Sequence, residues 1–200
     1  MAMTQGIAGI LLAAGRGSRF GGGKLMHCLS GGRPMAVAAA INLVPACERM
    51  VAVLRPEDAE LAAALAGAGC EIVLCNDADL GMGYSLAAGV KATPEAAAWI
   101  VALADMPFIA STTHRAIAAS LNAGASLAAS EYHGKRGHPV GFSRQWFDEL
   151  SAMTGDQGGR AILDRNKGNL VLCQVNDPGI HQDIDCKEDL AKIVGPAVKI

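Results

Sequence analysis

Residues 11–25, LLAAGRGSRFGGGKL, set five glycines among Arg16, Arg19 and Lys24 directly after the apolar run GIAGI. Backbone N–H groups around Gly15 and Gly17 can close on an anion, and Arg19 and Lys24 add full positive charge. The chemistry such a loop serves is phosphate binding. Three kinds of machine carry a glycine-rich turn after a first strand: dinucleotide oxidoreductases, P-loop NTPases and nucleotidyltransferases. The dinucleotide fingerprint GxGxxG fails at Phe20, and no acid about 20 positions on stands at a second strand end to hold a ribose. The P-loop GxxxxGK[ST] fails at Leu25, where a hydroxyl should hold magnesium. A longer, open loop remains, suited to a triphosphate approached from several sides. The plainer alternative is a surface turn with solvated basic residues.

Phosphoryl chemistry at a triphosphate needs divalent cations on its oxygens, and magnesium takes one or two protein carboxylates. In VALADMPFI, Asp105 follows an apolar run and precedes a proline that keeps the chain extended, so it is expected at the ligand-binding edge. In HQDIDCKEDL, an extended chain points Asp183 and Asp185 one way and Ile184 the other. On these residues alone, Asp185 reads better as the N-cap of a terminal helix starting near Lys187. In CNDADLGMGYSLAAGV, Gly81 and Gly83 permit close approach to a flat ring, and Ser85 reads as a helix cap ahead of a ligand contact. GKRGHPVGF sets Lys135, Arg136 and His138 around a tight turn, where a histidine before proline is more often structural. GDQGGRAIL brings Asp156, Gly158 and Arg160 to a helix start suited to an anion. Neither HExxH nor GxSxG occurs, which removes the metalloprotease and serine-hydrolase readings.

The elements that must position these groups alternate. GIAGILLAA, RMVAVLR, CEIVLC and AWIVALA read as strands; PMAVAAAINLV, EDAELAAALAGA, YSLAAGVKA and STTHRAIAASLNA read as helices. The strand runs are apolar throughout, as in parallel strands covered on both faces. The fold class is α/β, a doubly wound three-layer α/β/α sandwich, with ligands beyond the carboxyl ends of its strands. After residue 124 the pattern becomes strand, turn, strand, a helix from Ser143 to Met153, a short helix over 160–166, a strand NLVLCQV and a terminal helix ending at Val194.

Two hundred residues suit a single domain spanning 1–200. The excess in the apolar fraction of 51% is largely alanine, and no run approaches the roughly 18 apolar residues of a spanning helix. With no basic residue before its apolar run, the N-terminus does not read as a leader, and a cytoplasmic location is expected. A net charge of −2 offers no footprint for a nucleic-acid backbone. Six scattered cysteines without a CxxC pair suit reduced thiols.

LLAAGRGSRFGGGKL resembles the signature LAAGxGxRxG…K of the small-molecule nucleotidyltransferases, especially the molybdenum cofactor cytidylyltransferases and related molybdopterin-guanine-dinucleotide synthases, and later segments match in order. The resemblance implies a mostly parallel Rossmann-like sheet of the glycosyltransferase-A-like type. It implies a nucleotide held at Leu12, Ala13, Ala14, Gly15, Gly17 and Lys24, with Asn76, Gly81 and Ser85 on the base and ribose. Lys24, Arg19 and Asp105 would be catalytic, and Asp105 and Asp185 would hold Mg2+, or Mn2+ in its place. Here Cys186 and Lys187 stand where the family carries Thr-Pro, and Met106 where it often carries Gln. Arg136, His138, Asp156 and Arg160 match the acceptor side. The implied reaction is transfer of CMP from CTP to molybdopterin with release of pyrophosphate, the product passing to a molybdenum hydroxylase. LAAG at residues 12–15, where guanylyl-transferring relatives usually carry Gly-Gly, leans towards CTP. GTP or another triphosphate with a different phosphate acceptor such as a sugar phosphate, and a non-catalytic cofactor carrier or insertion chaperone, remain the alternatives.

Overall fold

Strand β1, Gln5–Leu12, shows why the chain layers as it does. Ile7 and Leu11 enter one apolar cluster while Ala8, Ile10 and Leu12 enter another, so successive side chains feed opposite faces and both faces are covered. The computed structural model describes residues 5–192; the first four residues of the N-terminal run and the end of the terminal helix read to Val194 lie outside them. Within that span β1 is followed by α1 (Met35–Leu43), β2 (Arg49–Leu54), α2 (Ala59–Gly67), β3 (Glu71–Leu74), α3 (Met82–Ala92), β4 (Ala96–Leu103) and α4 (Ser111–Asn122). Then come β5 (Leu127–Tyr132), β6 (Lys135–Ser143), α5 (Phe147–Ser151), α6 (Arg160–Arg165), β7 (Leu170–Gln174) and α7 (Lys187–Lys192).

The seven strands form one sheet in the order β3-β2-β1-β4-β6-β5-β7, parallel except for β6, which runs against both neighbours. Helices α1, α2 and α4 supply one apolar layer, and α3, α5 and α6 the other. The chain winds outward from β1 to β3, then crosses back through α3 to place β4 on the other side of β1. Leu12 and Leu103 pair at the ends of these two strands, and the chain reverses its winding there. That switch point is where an open α/β sheet leaves room for a ligand.

Three expectations need correction. Double-sided burial holds for the central strands but not for the edges, since Leu74 of β3 and Val171 and Leu172 of β7 are about half exposed. The helix expected over Ser143–Met153 is a 3-10 turn at Arg144–Trp146 followed by the short α5, because the Arg144 guanidinium is drawn to the carbonyls of Pro94 and Ala96. The tight turn falls at His133 and Gly134, both at positive φ, which leaves Lys135, Arg136 and His138 on β6.

One buried carboxylate ties the C-terminal segment to the sheet. Helix α4 starts after Ala110, which has no capping side chain, and Asp177 does that work from 67 positions away. Its carboxylate accepts from Ala110 N (2.9 Å), Thr113 Oγ1 (2.6 Å) and Gly179 N (2.9 Å). Asp177→Ala leaves those donors unsatisfied and should cost about 2–4 kcal/mol, read as a lowered urea midpoint. A second prediction concerns His114, buried on the same helix, whose imidazole burial pushes down to about 4. The unfolded chain takes up this proton near pH 6.5 and the folded chain only near 4, so stability is lost as pH falls through that window. The loss is on the order of 3 kcal/mol, and urea titrations of His114→Gln should show a flatter acid limb than the parent.

Candidate active site

The glycine loop leaves β1 at the switch point and is pinned by two buried side chains, Phe20 and Leu25, each in a short 3-10 turn. Directly before the first turn Gly17 has φ +57°, and a Cβ there would lie 2.8 Å from the Cβ of Lys24. The loop backbone therefore rests directly on the lysine stem, which only a residue without a side chain allows. The Lys24 side chain is 8% exposed. Its Nζ donates to Asp105 Oδ2 at 2.9 Å and to Asp185 Oδ1 at 3.2 Å, while Arg19 Nη2 lies 2.8 Å from Asp185 Oδ2.

Asp105 comes directly off β4, and Asp185 arrives from the C-terminal segment. The Ile184 N–H donates to the Asp105 carbonyl at 3.0 Å, and the Ile184 side chain is fully buried, so the two acids are held side by side. Ile184 is buried between an exposed Asp183 and a part-buried Asp185, the alternation that an extended 183–185 calls for. Asp185 is not the cap of α7. Asp189 reaches back instead, accepting from Asp185 N and Cys186 N at 3.0 Å each and from the Cys186 thiol at 3.1 Å. The capping hydrogen bonds are made without the Asp185 side chain, whose carboxylate meets Lys24 and Arg19.

Two cations and two carboxylates leave this quartet neutral, so it cannot by itself offset a triphosphate. Among the described residues no group of three or more His, Cys, Asp or Glu could hold a metal. Two carboxylates converging on one cationic centre are nonetheless the hard-oxygen set that Mg2+ or Mn2+ takes when phosphates and water complete the shell. The residues fit such an ion.

A cleft of about 490 Å³ opens beside the quartet, lined by Leu12, Ala14, Gly15, Gly17, Lys24, Gly81, Ser85 and Asp105 among others. A second, of about 670 Å³, is lined by Arg136, His138, Asp156 and Arg160. Leu12, Met82, Leu103 and Asp156 line both. The contact that shapes this boundary is at Gly81 (φ +134°), where a Cβ would fall 2.3 Å from the Gly155 carbonyl; Gly83 N donates to that oxygen at 2.7 Å. Because Gly81 ends its loop there, α3 starts at Met82 and Ser85 is not a cap; it sits one turn in, 3% exposed, on the cleft wall. Ala13 is buried behind the loop, and Asn76 is exposed and lines neither cleft.

In the second cleft Arg136 Nη2 donates to Asp164 Oδ1 at 2.7 Å, and Arg160 Nε lies 3.4 Å from Oδ2. The Arg136 hydrogen bond holds the Asp164 carboxyl below its usual range. Burial pushes the His138 imidazole down as well, and its Nδ1 is buried without a partner among the described residues. Three residues escaped the sequence reading: Asp164, Arg55 and Asp79. Asp164 stands four positions after Arg160, a helical ion-pair spacing that could have flagged it. Arg55, a charge directly after an apolar strand, could have been found as Asp105 was.

A family model described as the MobA-like NTP transferase domain matches residues 9–170. The purine catabolism protein PucB of Bacillus subtilis (strain 168) is 28% identical over 193 residues, covering 92% of this chain and 93% of that protein. The nicotine blue oxidoreductase of Paenarthrobacter nicotinovorans is 32% identical over 200 residues, covering 94% and 96%. The crystal structure of Rv0371c from Mycobacterium tuberculosis H37Rv matches with a TM-score of 0.80 at 26% identity, over 93% of this chain and 95% of that one. A manganese complex of Rv0371c matches at 0.79 and 24%, over 96% and 99%. With the glycine loop, the reversed strand order and this match over most of its length, the chain belongs to the MobA-like NTP transferase domain family, a family of nucleotidyltransferases.

Proposed function

We propose that the protein transfers CMP from CTP to molybdopterin with release of pyrophosphate, using Mg2+. The observation that carries this reading is the buried Lys24 ammonium between Asp105 and Asp185, at the mouth of a cleft that adjoins a second, arginine-lined one. The triphosphate would occupy the first cleft and the acceptor the second. A terminal phosphate oxygen of the acceptor attacks the α-phosphorus; the bond from that phosphorus to the bridging oxygen breaks, and pyrophosphate leaves with the electron pair. A phosphate monoester is largely ionised at neutral pH, with a second pKa of about 6, so the attack needs little help from a general base.

Alignment and charge neutralisation then account for the catalysis. Lys24 and Arg19 exchange carboxylate partners for phosphate oxygens, with the Lys24 stem held against Gly17. Asp105 and Asp185 would hold the Mg2+, or Mn2+, which when bound supplies Lewis-acid neutralisation of the phosphate oxygens. The manganese in the Rv0371c complex supports this choice of ion. Arg136 and Arg160 would meet the anionic acceptor, with Asp164 setting their spacing and Asp156 at the boundary. A neutral His138 can donate or accept one hydrogen bond there. Gly81 and Ser85 would border the ribose and base, whereas Asn76 would need its loop to move.

The same reading takes residues 1–200 as one domain acting in the cytoplasm and serving a molybdenum hydroxylase. Among the described residues no helix is long and apolar enough to cross a membrane. The 32% identity to a protein named nicotine blue oxidoreductase favours one second reading, a redox enzyme on this fold. A screen of CTP, GTP and ATP against molybdopterin and sugar phosphates, with Mg2+, separates the two: pyrophosphate release supports the transferase, and its absence with every pair removes that reading and leaves the rival.

Asp105→Ala should lower turnover at least about 10²-fold, the usual cost of one preorganised electrostatic group; near-normal turnover removes Asp105 from the mechanism. Gly17→Ala, forced against the Lys24 stem, should reduce kcat about tenfold or more in the same assay while melting only a few degrees lower.

A further inference from the structure

Three charged side chains of the first cleft take no part in the mechanism above. Arg16 belongs to the glycine loop, Arg55 directly follows β2, and Asp79 lies in the 3-10 turn Ala78–Leu80. Arg16 Nε donates to Asp79 Oδ1 at 2.9 Å and its Nη2 donates to Oδ2, forming a two-pronged fork. Arg55 Nη2 lies 3.1 Å from the same Oδ1. The Arg55 side chain is only 11% exposed, and its Nε is buried without a partner among the described residues.

We propose that Arg55 and Asp79 read the nucleobase and select cytosine by its pattern of donors and acceptors. This rests on the nucleotidyltransferase reading and adds the residues that choose its base. An ionised carboxylate has about four lone-pair sites. On Asp79 the Arg16 fork takes one site on each oxygen and the Arg55 guanidinium, ion-paired at 3.1 Å, crowds Oδ1, which leaves Oδ2 as the open acceptor for a single further donor. Cytosine offers one amine donor, N4, beside two acceptors, N3 and O2. The amine meets the remaining site on Asp79, and the acceptors meet Arg55, whose unspent N–H needs one. Guanine presents N1–H and N2–H together, a pair that needs both carboxylate oxygens and so must break the Arg16 fork. Uracil turns an N3–H towards Arg55 where cytosine has an acceptor. Adenine has the amine but one ring acceptor and falls between. Sites built to pair a particular polar edge discriminate because the wrong edge strands buried donors.

The test is calorimetric binding, in Mg2+, of CTP, ATP, GTP and UTP, with inorganic tripolyphosphate as a base-free probe. The chains compared are the parent, Arg55→Gln and Asp79→Asn. The parent should bind CTP at least about tenfold tighter than GTP or UTP, in line with one well-made polar edge. Arg55→Gln should lose about tenfold or more on CTP while holding tripolyphosphate unchanged, and Asp79→Asn should narrow the CTP-to-GTP ratio. Asp79 is the more exposed of the two, so its variant carries the test if Arg55→Gln does not fold, as judged by near-ultraviolet circular dichroism. Equal binding of CTP and GTP by the parent overturns the inference. So does an Arg55→Gln chain that weakens tripolyphosphate as much as CTP, which would make Arg55 a phosphate ligand, and so does an unchanged ratio in Asp79→Asn. Failure of the parent to bind any nucleotide or tripolyphosphate overturns the underlying reading instead.

Discussion

The arrangement depends on one ammonium group held between two carboxylates. A lysine as buried as Lys24 is costly unless its charge is paired, and Asp105 and Asp185 pair it twice. The dependence runs both ways, because two carboxylates brought this close repel one another unless a cation stands between them. Lys24 therefore keeps the acids together before any ligand arrives. What a phosphate and a metal ion would have to do is replace interactions already present, which involves less reorganisation than assembling the group from open loops.

Each partner is delivered by a different part of the fold. The parallel pairing of β1 and β4 brings the glycine loop and Asp105 out at the same level, with Ala104 N donating to the Leu12 carbonyl at 3.1 Å. The Ile184 N–H bond to Asp105 then adds the C-terminal segment, while Asp177 and Asp189 hold that segment at either side. Backbone hydrogen bonds and caps bring the two acids to one place, and the Lys24 ammonium between their side chains keeps them there.

Where the determinant was local, the sequence was readable. The apolar runs of β1, β2 and β4 and the glycine loop identify the layers and the switch point, and Asp105 follows from its place after a buried strand. The edge strands were harder, since β3 and β7 carry apolar residues that the sheet leaves half exposed. Ser85 read as a cap because the true start of α3 is set by Gly81 meeting Gly155, a contact between segments more than 70 residues apart. The Asp185 side chain was ambiguous for the same reason: its local context suggests a cap, while its partner Lys24 is 161 positions away. The fork on Asp79 and the bridge at Asp164 are likewise meetings of distant charges. Only the family resemblance, which carries information from other chains, assigned Asp185 a metal role.

The order in which these parts occur along the chain has a consequence for synthesis. Chains emerge from the ribosome N-terminus first and can begin to fold as they do so. All seven strands have emerged once Gln174 is out, and with them both clefts and Lys24, but Asp185 has not. A nascent chain at that stage has Lys24 paired with one acid alone. The second acid and the Ile184 bond that seats it come only later, so a product ending before Ile184 would carry all seven strands and an unfinished centre.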